Sequence, residues 1–174
     1  MQLNNEYPLT RPAMKPVIKD RQITTSTWQI STEISEIGQQ LIPLDLFLDH
    51  RELLLGRREP IGIWLESDQE VESLENDLTF FSLIALNFPT FTDGRHYSTA
   101  MKLRRQYGYE GEIRAVGDVR IDQLEQLSRC GFNAFELADG QSVNRGIDAL
   151  STFTYTYQSS WQQSQPLFRF RAES

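Results

Sequence analysis

Two short stretches hold the residues best suited to chemistry: Thr92-Asp93-Gly94-Arg95 and Gly117-Asp118-Val119-Arg120. Each sets a carboxylate two residues before a guanidinium, and each follows an apolar run. An arginine presents a planar fork that holds an oxyanion through two hydrogen bonds. Gly94 admits a close ligand approach or a positive φ. Thr92 or Asp93 can cap a following helix with its side-chain oxygen. The N–H groups at that helix start favour an anion as well. Thr92, Gly94, Arg95, Gly117 and Arg120 are therefore candidate binding residues. Asp93 and Asp118 are the acid–base candidates, Asp118 as a base if burial raises its pKa or as the group that orients Arg95. Arg114 is also a binding candidate. It lies inside a strand and needs a carboxylate partner if buried, and Glu136 is the candidate partner. The competing reading is a capped turn with Arg95 paired to Asp93 or an outer acid.

Other chemistries find little support. His50 and His96 are the only histidines and have no ligand spacing, so no metal site is expected. His96, beside Arg95, reads as a surface histidine. Cys130 is the single cysteine; it permits no internal disulfide and reads as a packing residue. There is no glycine-rich dinucleotide fingerprint, P-loop, GxSxG or HExxH. These residues name no cofactor. A net charge of −7 argues against nucleic acid as a general partner. The charge is uneven: Glu33 to Asp77 holds twelve acids and three arginines, whereas Arg95 to Arg129 holds seven Lys/Arg and five acids. Both candidate turns thus lie in a locally basic island. No apolar run approaches a membrane span, and no signal peptide is recognisable. A cytoplasmic location is expected.

The elements that position these turns follow a repeated beat. Apolar runs at Ile61–Leu65, Phe80–Phe88, Glu112–Val116 and Phe132–Leu137 read as strands, with Phe153–Tyr157 as a last, edge strand. Helices are predicted over Pro43–Leu55, around Val71, Leu74 and Leu78, and over Tyr97–Tyr107, Ile121–Cys130 and Val143–Leu150. Ile23–Ile30 reads as a short strand. The expected fold is α/β, a mostly parallel sheet of about five strands with βα repeats. An open three-layer sheet and a partial barrel both remain open. Parallel strands put both candidate turns on one edge, at the strand C-termini. Residues 1–40 read as an N-terminal arm with a possible short strand, 41–158 as one α/β domain, and 159–174 as a polar tail.

The central residues also resemble a known family. Phe88-Pro89, Phe91-Thr92-Asp93-Gly94-Arg95, Tyr97-Ser98, Tyr107-Gly108-Tyr109, Arg114-Ala115-Val116-Gly117-Asp118-Val119, Asp122-Gln123-Leu124 and Cys130-Gly131-Phe132 resemble the signature of the bacterial domain-of-unknown-function family 934. The resemblance runs from about Pro43 to Gln158. It adds Tyr97 and Gln123 to the binding candidates. Such proteins are described as probable oxidoreductases involved in sulfite reduction. The resemblance thus implies sulfite-reduction enzymes as partners and a small oxyanion or anionic metabolite as ligand. No flavin, haem or iron–sulfur motif accompanies it. Three functions remain open at this stage. One is an accessory or oxyanion-binding protein of assimilatory sulfite reduction. Another is an independent small-anion enzyme using Asp118 or Asp93 with arginine clamps. The last is a structural or homodimerisation module without ligand.

Overall fold

The computed structural model describes residues 15–35 and 37–152. In chain order these form β1 (Pro16–Lys19), β2 (Gln22–Thr25), β3 (Gln29–Ile30), β4 (Gln40–Pro43), α1 (Leu44–Asp49), α2 (Arg51–Leu55), β5 (Ile61–Leu65), β6 (Phe81–Phe88), α3 (Arg95–Arg105), β7 (Glu112–Gly117), α4 (Leu124–Cys130), β8 (Ala134–Phe135) and α5 (Val143–Thr152). Single 3-10 turns cover Val71–Leu74, Leu78–Phe80 and Ile121–Gln123. No helix among the described residues is long and apolar enough to cross a membrane.

All eight strands join one sheet in the order β2-β1-β8-β7-β6-β5-β4-β3. From β3 to β8 each neighbouring pair is parallel, whereas β1 runs antiparallel to both β8 and β2. This corrects the expectation of about five, mostly parallel strands. The additional strands are β4, β3 and the β1–β2 hairpin, which falls in the stretch read as an arm; Ile23–Ile30, read as one short strand, is divided between β2 and β3. The hairpin turn is Asp20-Arg21, both at positive φ (47° and 63°). That geometry favours Asn, Asp or Gly first and Gly second, so Arg21 keeps the pair from announcing a hairpin. The helix expected over Pro43–Leu55 is split at His50 into α1 and α2. The helix expected around Val71–Leu78 is two 3-10 turns. Phe153–Tyr157 and the tail lie outside the described residues.

An open three-layer sheet needs a reversal of strand order so that helices cover both faces. Here β3 to β8 follow one another in chain order, so crossovers of one hand put their helices on one face. The core divides accordingly. Ile63, Ile84, Leu86, Phe88, Ile113 and Phe135 pack with Ala100, Leu103, Leu124 and Leu127 of the helices. Their strand neighbours Leu41, Trp64, Leu83, Ala85 and Val116 form a second cluster with Trp28 and Ile30 on the inner face. The sheet is curled into a partial barrel. Only Ser26–Trp28 separates its two edge strands. An extended chain of that length reaches about 14 Å, whereas eight flat strands would span roughly 34 Å. Ser26 N–H still donates to the Lys15 carbonyl beside β1, and Gln29 N–H to the Gln39 carbonyl beside β4. One extended run, Gln22–Ile30, thus serves both edges.

Candidate functional site

Strands β6 and β7 end level with one another, with Phe88 opposite Gly117. Their two loops therefore leave the same rim and bond to each other. Asp118 N–H donates to the Phe88 carbonyl at 2.8 Å, and Phe91 N–H donates to Asp118 Oδ2 at 3.1 Å. Gln123 ties the loops a second time: its Oε1 accepts from Arg120 N–H at 2.9 Å, and its Nε2 donates to the Phe91 carbonyl at 2.9 Å. The same Nε2 lies 3.4 Å from the Tyr97 hydroxyl. Thr92 stays local, its hydroxyl 3.1 Å from that of Thr90. Gly117 makes the close approach possible. It sits at φ 92°, and a Cβ there would collide with the Phe88 carbonyl and with Asn87 Oδ1.

Each arginine is clamped by the acid two residues before it. Arg95 donates from Nε to Asp93 Oδ1 (3.0 Å) and from Nη2 to Asp93 Oδ2 (2.6 Å). Arg120 makes the matching pair with Asp118, both at 3.3 Å. The two guanidinium groups then part. Arg95 Nη2 also donates to Ser67 Oγ at 2.9 Å in the loop after β5, whereas Arg120 stacks on the exposed Phe91 ring, 4.0 Å from its centroid. Asp118 thus serves Arg120 and the Phe91 N–H rather than orienting Arg95. Its carboxyl is held below its ordinary value by the hydrogen bond from Arg120, not raised by burial. Asp93 is depressed further, first by the Arg95 hydrogen bond, then by the Arg95 N–H and the Ser67 hydroxyl. The helix cap proper is Gly94; Asp93 Oδ1 takes the Arg95 N–H at 3.2 Å.

His96 is buried, at 1% exposure, not on the surface. It lies on the same helical face as Ala100 and Leu103, edge-on to the Phe88 ring. Its Nε2 has no well-formed hydrogen bond among the described residues. Burial lowers its pKa to about 4, so it is neutral at physiological pH. Cys130 packs against the helix-side core, and burial raises its thiol pKa.

Arg114 turns to the inner face and pairs with Glu112 (Nε–Oε1 2.7 Å), not with Glu136. Residues two apart on a strand share a face, and Arg114 lies level with Ala134, one layer below Glu136. Arg114 Nη1 also donates to Ser26 Oγ at 2.6 Å, and Lys19 reaches Glu112 Oε2 at 2.8 Å across the small Ala134. Glu136 faces Lys15 at 3.7 Å.

The layer above Arg114 holds Glu136 together with Glu66, which sequence reasoning passed over. One step beyond the Leu65–Leu86 pair, Glu66 meets Asn87, which is level with Val116. Glu136, whose N–H donates to the Ala115 carbonyl, continues that row. Glu66 Oε1 accepts from Trp64 Nε1 and Oε2 from Asn87 Nδ2, both at 2.6 Å. Period-two alternation from Trp64 and Ala85 was the available signal: both strands turn from apolar to polar on the inner face as they reach the rim. Among the described residues, no group of three or more His, Cys, Asp or Glu is gathered as a metal ion would need.

A family model described as a bacterial protein of unknown function (DUF934) matches residues 62–168, more than half of the chain, and the chain belongs to that family. No curated protein matches it.

Proposed function

We propose that this DUF934 member is an oxyanion-binding accessory protein of assimilatory sulfite reduction, acting through the rim of Asp93, Arg95, Asp118 and Arg120. The side-on clamp on both arginines carries the reading. The acids occupy the Nε–Nη2 side of each guanidinium. Nη1 of each has no partner among the described residues, and both side chains are well exposed, at 60% and 42%. A fork already fixed by one carboxylate loses little further freedom on receiving a second anion. Asp93 and Asp118 act here as clamps. Carboxyls held below their ordinary range are deprotonated at neutral pH and poor proton donors, which disfavours the acid–base enzyme. The link to sulfite rests on the family resemblance, and sulfite is a small oxyanion of the kind a guanidinium holds.

Thermal denaturation tests the reading. A ligand of the native state at about a hundred times its Kd adds about 2.7 kcal/mol, or roughly 5–10 °C in Tm for a chain of this length. Sulfite should raise the Tm of the wild type, and Arg95→Ala together with Arg120→Ala should abolish the rise. An equal rise in the double variant, or none in either protein, would reject the proposal.

A further inference from the structure

Phe91 and Arg120 form a stack whose outer side is open. The Arg120 guanidinium carbon lies 4.0 Å from the centre of the Phe91 ring, so it covers one face. Phe91 is nevertheless 43% exposed. With one face covered, exposure of that size must come from the other face and the ring edge. No other ring packs against Phe91 among the described residues. The platform is also fixed. Phe91 N–H donates to Asp118 Oδ2, and the Phe91 carbonyl accepts from Gln123 Nε2. Asp118 in turn holds Arg120 through Nε and Nη2, which leaves Nη1 for an anion. The open aromatic face and the free guanidinium edge belong to two side chains in direct contact, so one ligand can meet both.

We infer that the ligand held at Arg120 is an anion joined to a flat aromatic group, of the nucleoside monophosphate class. The inference rests on the oxyanion reading above and narrows its ligand. The base stacks on the free face of Phe91, about 4 Å from the ring. The phosphate meets Arg120 Nη1 at the ring edge, and the sugar spans the thickness of the stack between them. Every base has a π face, so an aromatic platform of this kind holds any of them. Asp118 and Phe91 already hold the guanidinium in place, so little freedom is lost when the phosphate arrives. A bare oxyanion such as sulfite or phosphate fills only the Arg120 half of the site. A ligand that makes both contacts loses its translational and rotational freedom once for the pair.

Calorimetric titration at pH 7 with adenosine monophosphate and with ribose phosphate, which has the sugar and the anion but no base, separates the outcomes. The wild type should bind the nucleotide tighter by roughly tenfold or more, as one base stacked on one ring implies. Phe91→Ala should bring the two affinities to within about threefold. Equal wild-type affinities, or a ratio unchanged in Phe91→Ala, would overturn the inference and leave the oxyanion reading standing. The wild-type ratio decides even if Phe91→Ala fails to fold. Undiminished binding of both ligands by the Arg95→Ala, Arg120→Ala double variant would overturn the oxyanion reading and the inference with it. No binding of either ligand would also overturn both.

Discussion

At the residue scale, His96 sets how the protein responds to acid. Its folded pKa is about 4, below the ordinary histidine value, because burial disfavours the cation. The unfolded chain therefore binds the proton first. Stability supplied by the neutral ring is complete above about pH 6.5 and is lost as pH falls toward 4. That loss amounts to about 3 kcal/mol at pH 4. Urea denaturation of His96→Phe between pH 7 and pH 4 should show a shallower loss than the wild type by about that amount; parallel curves would contradict it. Gly117 makes a second residue-scale prediction. Its positive φ and its contact with Phe88 and Asn87 leave no room for a methyl group, so Gly117→Ala should cost roughly 2–4 kcal/mol in the same experiment. The two rim turns were visible in the sequence because a polar Asp–x–Arg pattern ends an apolar run. The burial of His96 was not, since helical phase alone had to outweigh two charged neighbours, Asp93 and Arg95.

At the scale of elements, the inner-face network holds the curled sheet together. Arg114 on β7 bonds both Glu112 and Ser26, and Ser26 lies in the short link between the edge strands β2 and β3. Removing one member of a buried ion pair typically costs about 3–5 kcal/mol when the other is left unpaired, an upper bound here because Glu112 keeps Lys19. Arg114→Met should destabilise by that order, and adding Glu112→Gln should recover part of it. Full additivity of the two substitutions in denaturant melts would show that the residues are not coupled. The partner of Arg114 was illegible in the sequence. Glu112 and Glu136 are both near it in strands, and only the Arg114–Ala134 register decides between them. The strands β5, β6 and β7 were legible as apolar runs, but both of their faces are buried, so hydropathy could not reveal that one face meets helices and the other an enclosed, partly ionic interior. The β1–β2 hairpin escaped notice because Val17 and Ile18 are its only core-buried apolar residues and its turn is Asp-Arg.

For the whole molecule, sequential strand order is what makes a rim. The six parallel strands all end in one direction, and curling draws their C-terminal ends around a common mouth. Glu66, Asn87 and Glu136 face that mouth from inside, while the Asp–Arg pairs occupy the loops above it. Alternation of strand and helix was enough to predict one shared edge, but the choice between an open sheet and a partial barrel depended on strand order, which local pattern does not encode. The central claim is that the clamped arginines receive the anion. Arginine side-chain N–H resonances, followed by NMR during a sulfite titration, test it most directly. Saturable shifts at Arg95 and Arg120, with Arg104 and Arg129 on the helices unmoved, are the predicted result. Shifts confined to other arginines, or shared evenly by all of them, would contradict it.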